Sequence, residues 1–298
     1  MPTPLTDLSD ALAAAVQSAG AGTVRVDGRP RLAASGIVWA GDGVIVTAHH
    51  VVEHDGDVTI GLPDGREVPA KLVGRDPTTD LAVLRADAAD LAPLTWADPE
   101  AIAVGHLVLA IGRPGRTVQA TLGIVSAWGG EWRTPAGGKV DRYLQTDVVM
   151  YPGFSGGPLA GAGGHALGLN TSGLLRGASV ALPIATLRTV VEMLLAHGRV
   201  RRGYLGISAQ VVRLPDGLAE SLSQETGLIL IGVEPDSPAA RADLHMGDTI
   251  IAIDDQPARH MDDLVAILSG DRIGRDVPVR FIRGAGVLTQ TVQVGERG

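Results

Sequence analysis

Gly153-Phe154-Ser155-Gly156-Gly157-Pro158-Leu159 is the stretch on which the reading of this chain turns. Three glycines around one serine suit a backbone that turns tightly, points its N–H groups at a ligand and lets that ligand approach closely. In that role Ser155 is a nucleophile for a carbonyl carbon. Gly153, Phe154 and Ser155 then frame an oxyanion hole, with the amides of Gly153 and Ser155 receiving the charge that builds on the oxygen. The plain alternative is a hairpin with a serine at its tip. The surroundings of the loop decide between the two.

The chain has 298 residues, room for two domains with a core each. Apolar residues make up 45% but aromatics only 3%, so the core is built from Val, Leu, Ile and Ala. Forty glycines and eighteen prolines fit many short strands and tight turns, and the expectation is a mainly β protein. The net charge of -8 comes from interspersed acids, and without a basic stripe nucleic acid is excluded as a partner. The absence of cysteine removes disulfides, thiol catalysis and thiolate metal sites together. Asp7 and Asp10 stand where a secretory signal needs a basic start and an apolar stretch, so no signal peptide is read and a cytoplasmic location is expected. The longest apolar run, 101–111, is broken by Gly105 and His106 and falls short of the roughly 20 residues that span a bilayer, so no membrane span is expected.

Leu5, Leu8, Leu12 and Val16 recur at helical spacing, with Thr6 or Asp7 as caps and Gly20 as a stop, which predicts an amphipathic helix in a segment 1–21. Short β-rich runs follow: 43–47, 58–62, 68–73, 81–84, 107–111, 121–126, 144–149 and 166–170, with Pro63-Asp64-Gly65 as a hairpin turn. Ile184, Leu187, Val190, Val191, Leu194 and Leu195 form a 3.6-residue stripe closed by Gly198, a helix that ends a first domain of residues 22–198. Residues 199–202 read as a basic linker. A compact α+β module, 203–298, is predicted with strands at 204–207, 228–233, 249–253, 277–282 and 287–294 and helices starting at Ser237-Pro238 and near Asp262 to Ser269.

Val46-Thr47-Ala48-His49-His50-Val51-Val52 sets histidine at the end of an apolar strand, and Asp80 precedes the apolar run Leu81-Ala82-Val83-Leu84. With Ser155 the order is His, Asp, Ser. In the general form of such a triad serine attacks, histidine takes its proton, and a buried aspartate fixes the imidazole tautomer.

Thr-Ala-His-His-Val-Val, Asp-Pro-Thr-Thr-Asp-Leu-Ala-Val-Leu, Ala-Ile-Gly-Arg-Pro, Gly-Ile-Val-Ser-Ala, Gln-Thr-Asp and Ser-Gly-Gly-Pro-Leu occur in this order over residues 22–296. In these motifs the chain resembles the high-temperature-requirement (HtrA, or Deg) serine proteases. The resemblance implies a chymotrypsin-like double β-barrel protease domain followed by one PDZ domain. It assigns His50, Asp80 and Ser155 as the triad, His50 because the family's histidine directly precedes Val-Val. It further implies cleavage of unfolded or extended polypeptide in protein quality control, no cofactor, and self-association as a homo-oligomer, a trimer in many members. A specificity pocket is expected between Tyr151 and Pro152 on one side and Thr171, Ser172, Gly173 and Leu174 on the other, selecting small or medium apolar residues.

Three departures from the family stand out. Phe154 replaces the usual Asn, Trp128 and Gly129 follow Ser126-Ala127 where a sensor arginine is common, and a Leu-rich helix replaces the aromatic N-terminal segment of trimers. Tyr204-Leu205-Gly206-Ile207 resembles the carboxylate-binding loop of PDZ domains, with Leu264, Ile267 and Leu268 lining the side-chain pocket and Arg201 or Arg202 adding charge. The same helix spacing equally suits an ordinary core face. No metal site is expected: His50 and His54 lack an accompanying catalytic Glu, and Gly161 to Gly164 reads as a hairpin turn. Two alternatives stay open, a silent protease-fold scaffold whose hole Phe154 blocks, and a PDZ adaptor or chaperone.

Overall fold

The computed structural model describes residues 3–30, 32–53, 56–268 and 272–297; His54, Ser269 and Gly298 of the sequence reading lie outside them. The chain divides into two compact units, Met1–Val200 and Arg201–Gly298.

In the first unit β1 (Thr23–Asp27), β2 (Ala34–Ala40), β3 (Val44–Ala48), β4 (Val58–Gly61), β5 (Glu67–Asp76) and β6 (Leu81–Ala86) close a barrel in the order β1-β2-β3-β6-β5-β4. A second barrel is built from β7 (Leu107–Gly112), β8 (Gln119–Trp128), β11 (Leu144–Thr146), β12 (Pro158–Gly161), β13 (Ala166–Thr171) and β14 (Ser179–Pro183), ordered β11-β14-β13-β12-β7-β8. A small hairpin, β9 (Trp132–Arg133) and β10 (Lys139–Val140), is inserted between β8 and β11.

Several strands read as unbroken apolar runs because both of their faces are buried. On β3, Val44 and Val46 enter the core shared by the two barrels, while Ile45 and Ala48 fill the interior of the first. On β6, Leu81 and Val83 divide from Ala82 and Leu84 in the same way, and on β7 Leu109 and Ile111 divide from Val108 and Ala110. Each large aliphatic side chain so placed contributes roughly 1.5–3 kcal/mol. The shared core joins the two barrels of the first unit.

Two helices seal it. The helix α2 (Ile184–His197) buries Ile184, Leu187, Val190, Val191 and Leu194 and ends on Gly198 at φ 71°, whose amide donates to Leu194 O at 2.8 Å. The first helix, α1 (Pro4–Ala21), is capped by Thr3 rather than Thr6 or Asp7, because Pro4 suits the first helical position, where no amide partner is needed. Its apolar stripe divides: Leu12 and Val16 pack on the shared core, whereas Leu5 is 75% and Leu8 41% exposed. The run expected over 144–149 is a strand only to Thr146, because Asp147 turns its carboxylate onto the Ile124 amide at 2.6 Å.

The second unit is an antiparallel sheet with order β16-β17-β18-β20-β21, from β16 (Ile207–Arg213), β17 (Thr226–Val233), β18 (Thr249–Ile253), β20 (Asp276–Arg283) and β21 (Gly286–Gln293). β19 (Gln256–Pro257) extends β18, and β15 (Arg202–Tyr204) pairs with β22 (Gly295–Arg297). The helices are α3 (Asp216–Leu222), α4 (Pro238–Arg241) and α5 (Met261–Leu268). The strand expected at 204–207 is two strands parted by Leu205 and Gly206, since Gly206 at φ 77° cannot continue a ladder. The sequence reading missed α3, a short helix whose Asp216-Gly217 resembles a turn.

Candidate active site

His50 sits in the single 3₁₀ turn His49–Val51 that closes β3, and Asp80 occupies the last position before β6. Asp80 has φ 57°, a left-handed conformation that aspartate tolerates better than most residues. The turn ahead of it is organised by buried Asp76, which accepts from the Thr78 amide at 3.1 Å and the Thr79 hydroxyl at 2.7 Å. Asp80 then addresses the histidine twice: His50 N donates to Oδ1 at 2.9 Å, and His50 Nδ1 lies 2.8 Å from Oδ2. The Thr171 hydroxyl also donates to Oδ2, and the carboxylate is 4% exposed. Three donors hold the Asp80 carboxylate in place, and it faces the Nδ1 edge of the His50 ring. The Nδ1 of the neighbouring His49 is buried without a partner among the described residues, and burial holds its imidazole below the usual value, with Arg75 adding to the effect.

Ser155 approaches from the second barrel. Gly153 at φ 90° and Gly156 at φ 87° give the loop its double reversal, and a Cβ on Gly156 would lie 2.1 Å from Ser35 O. Phe154 is fully buried in the second barrel, its ring edge-on to Tyr151 at 5.8 Å. It therefore anchors the loop from beneath. The Phe154 amide donates to Tyr151 O at 3.0 Å, while the amides of Gly153 and Ser155 have no acceptor among the described residues. These two free donors flank the serine. The Ser155 hydroxyl lies 3.0 Å from the Ser172 hydroxyl.

The pocket residues of the sequence reading separate into different roles. Tyr151 and Pro152 are exposed beside the serine, Ser172 touches it, and Gly173 lies against His50 and Asp80. Thr171 is instead fully buried as a partner of Asp80, and Leu174 belongs to the shared core. Sequence reasoning missed the roles of Ser35 and Arg113, both buried and bonded to the serine loop or to each other; Arg113 lies in the quoted motif Ala-Ile-Gly-Arg-Pro without a role being read for it, and no local pattern marks Ser35.

In the second unit Leu205 is buried and its carbonyl accepts from Ala239 N at 2.8 Å, while the Leu205 and Gly206 amides have no acceptor among the described residues. Tyr204 bonds Glu234 through its hydroxyl, Arg201 pairs with Glu296 at 3.0 Å, and β16, opened by Ile207, is an edge of its sheet. Leu264, Ile267 and Leu268 are buried in the core of this unit. Among the described residues no group of three His, Cys, Asp or Glu side chains is placed to hold a metal ion, and no helix is long and apolar enough to cross a membrane.

Residues 34–169 match the trypsin-like peptidase domain and residues 203–294 the PDZ domain. The chain is similar to the solved HtrA-type protease AlgW with decapeptide, at 30% identity and TM-score 0.80 over 96% of this chain and 99% of that one. It belongs to the HtrA-type serine proteases. The serine endoprotease from Yersinia pestis matches with TM-score 0.80 and 30% identity over the full length of both chains. Among curated relatives, a probable periplasmic serine endoprotease DegP-like of Halomonas elongata is 37% identical over 268 residues, 88% of this chain and 56% of that protein. Its counterpart in Rhizobium meliloti is 35% identical over 276 residues, covering 90% and 54%. The chain thus spans about half the length of these curated relatives. Their names also correct the cytoplasmic location expected from the sequence: the relatives are periplasmic, and acidic residues near the first methionine are no guide to where the mature protein works.

Proposed function

We propose that this chain is a serine endopeptidase that cuts extended or unfolded polypeptide by acyl transfer to Ser155, outside the cytoplasm and in protein quality control. The observation that carries the reading is His50 held by Asp80 through both its amide and its Nδ1, opposite a serine loop with two free amides. With substrate bound, the Ser155 hydroxyl turns from Ser172 to Nε2 of His50 and gives up its proton as its oxygen bonds the scissile carbonyl carbon. The oxyanion is received by the Gly153 and Ser155 amides, and Asp80 stabilises the imidazolium. His50 then protonates the leaving amine, the acyl-enzyme forms, and water activated by the same imidazole releases the acid. The scaffold alternative is not favoured, since Phe154 is fully buried in the apolar cluster of the second barrel.

The second unit in this reading binds free peptide C-termini by strand addition to β16, its carboxylate taken by the Leu205 and Gly206 amides. Amidated peptides then bind more weakly; equal binding of both forms refutes carboxylate capture. Self-association through the exposed Leu5 and Leu8 face belongs to the same proposal, and an unchanged mass by light scattering in a Leu5→Ser, Leu8→Ser variant refutes it. The test of the catalytic reading is fluorophosphonate labelling and casein cleavage by the wild type, Ser155→Ala, His50→Ala and His49→Ala. The first two variants lose both activities and the third keeps them. A wild type as inert as Ser155→Ala in both assays refutes the enzyme.

A further inference from the structure

Arg113 is 7% exposed, and no carboxylate pairs with it among the described residues. Its guanidinium spends its donors on main-chain carbonyls instead: Nε on Thr23 O at 2.7 Å, Nη2 on Gly20 O at 2.9 Å and Nη1 on Arg116 O at 2.9 Å. Gly20 lies in the last turn of α1, where unsatisfied carbonyls carry the negative end of the helix dipole. A buried cation without an acid is costly, and the end of α1 is what compensates it.

The amide of the same residue donates to Ser35 Oγ at 2.8 Å, and Ser35 Oγ donates onward to Gly153 O at 2.7 Å. Ser35 is fully buried, and its own amide donates to Ser155 O at 3.1 Å. One residue of β2 therefore holds the carbonyls on both sides of Phe154. Gly153 has no Cβ to restrict its φ and ψ, so its N–H takes its direction from the backbone that follows it, which the tethers on Gly153 O and Ser155 O hold in place.

We propose that Ser35 and Arg113 are positioning residues of the oxyanion hole, and that through Arg113 the hole is set by the docking of helix α1. The assignment rests on Ser155 being the nucleophile. The helix end, the guanidinium, the Arg113 amide, the Ser35 hydroxyl and the Gly153 carbonyl form one continuous line. Loosening α1 frees Arg113, which frees Ser35 and then the loop.

The test uses the full chain as wild type, Ser35→Ala and Arg113→Met, which keeps an unbranched stem without the cation; Arg113→Lys replaces the latter if it fails to fold. Hydrogen exchange of amides 153–157 is read beside that of β6. Exchange of the loop rises about tenfold in Ser35→Ala, the worth of one buried hydrogen bond, with β6 unchanged. In Arg113→Met the loop and the end of α1 loosen together. On a peptide substrate kcat falls about tenfold in Ser35→Ala with KM unchanged, and a peptide aldehyde, whose hemiacetal oxygen occupies the hole, weakens in step with kcat. Unaltered loop exchange in Ser35→Ala, or a rise shared equally by β6, overturns the positioning role. A loosened α1 with an unaltered loop overturns the coupling. A wild type that exchanges as described yet hydrolyses nothing refutes the proposed function and with it the oxyanion-hole role, and leaves only the tethering of the loop to Ser35, Arg113 and α1.

Discussion

Gly173 offers a way to break the His50–Asp80 pair without touching either residue. A Cβ at this position would lie 2.6 Å from Asp80 Oδ2, 2.8 Å from His50 Nδ1 and 3.0 Å from Asp80 Cγ. Its φ is outside the left-handed region, so Gly173→Ala adds no backbone strain, and the effect is that of one methyl group. To reach ordinary contact at 3.4 Å the methyl and the carboxylate must part by about 0.8 Å. Asp80 cannot yield that distance and keep both its 2.8 Å contact with His50 Nδ1 and the Thr171 hydroxyl. A 1 Å misplacement of a catalytic group costs on the order of 10²-fold, and loss of the aspartate's role about 10⁴-fold, so kcat of Gly173→Ala falls between these limits. The assay is kcat and KM on a chromogenic peptide, with fluorophosphonate labelling of Ser155 slowing in parallel and the fold checked by circular dichroism. Gly163→Ala, whose Cβ meets nothing within 4 Å, is the control. A Gly173→Ala enzyme within about threefold of wild type refutes the view that the pair's geometry limits the rate.

Thr171→Val removes the hydroxyl from Asp80 at nearly constant volume; kcat drops roughly tenfold, as for a hydrogen bond to a charged group, and a rate equal to wild type refutes the role. Phe154→Ala opens a cavity under the serine loop and destabilises the first unit by about 3–5 kcal/mol in urea unfolding, with kcat falling as well; a loss below about 1 kcal/mol contradicts the anchoring role. Asp248 accepts from Arg283 at 2.8 Å through each oxygen and from His245 N at 2.7 Å. Burial pushes its carboxyl up, but these donors outweigh it and hold the carboxyl below the usual range. A depressed carboxyl contributes stability above its unfolded value and loses it as pH falls through the lower folded one, so the contribution fades below about pH 4. Asp248→Asn therefore lowers the melting temperature of residues 201–298 by about 5 °C at neutral pH and by progressively less as the pH falls below about 4, and equal melting at neutral pH refutes the assignment.

What the sequence determined by itself was whatever neighbouring residues encode. Glycines around Ser155, the apolar runs of β3, β6 and β7, and the stripe of α2 closed by Gly198 all act within a few residues, because backbone sterics, strand burial and helix periodicity are local. The order of His50, Asp80 and Ser155 was legible because they stand at the end of one apolar run, before another and in a glycine-rich loop, whereas the choice of His50 over His49 came from the family resemblance. Tertiary structure decided which groups complete the site. Thr171 reaches Asp80 across 91 positions and Ser35 reaches Gly153 across 118, distances over which no periodicity survives. Leu174 left the expected pocket for the core shared by the two barrels, and Phe154 joined the apolar cluster of the second barrel. Such choices follow from the volume left between packed elements, a property that exists only once the barrels have closed.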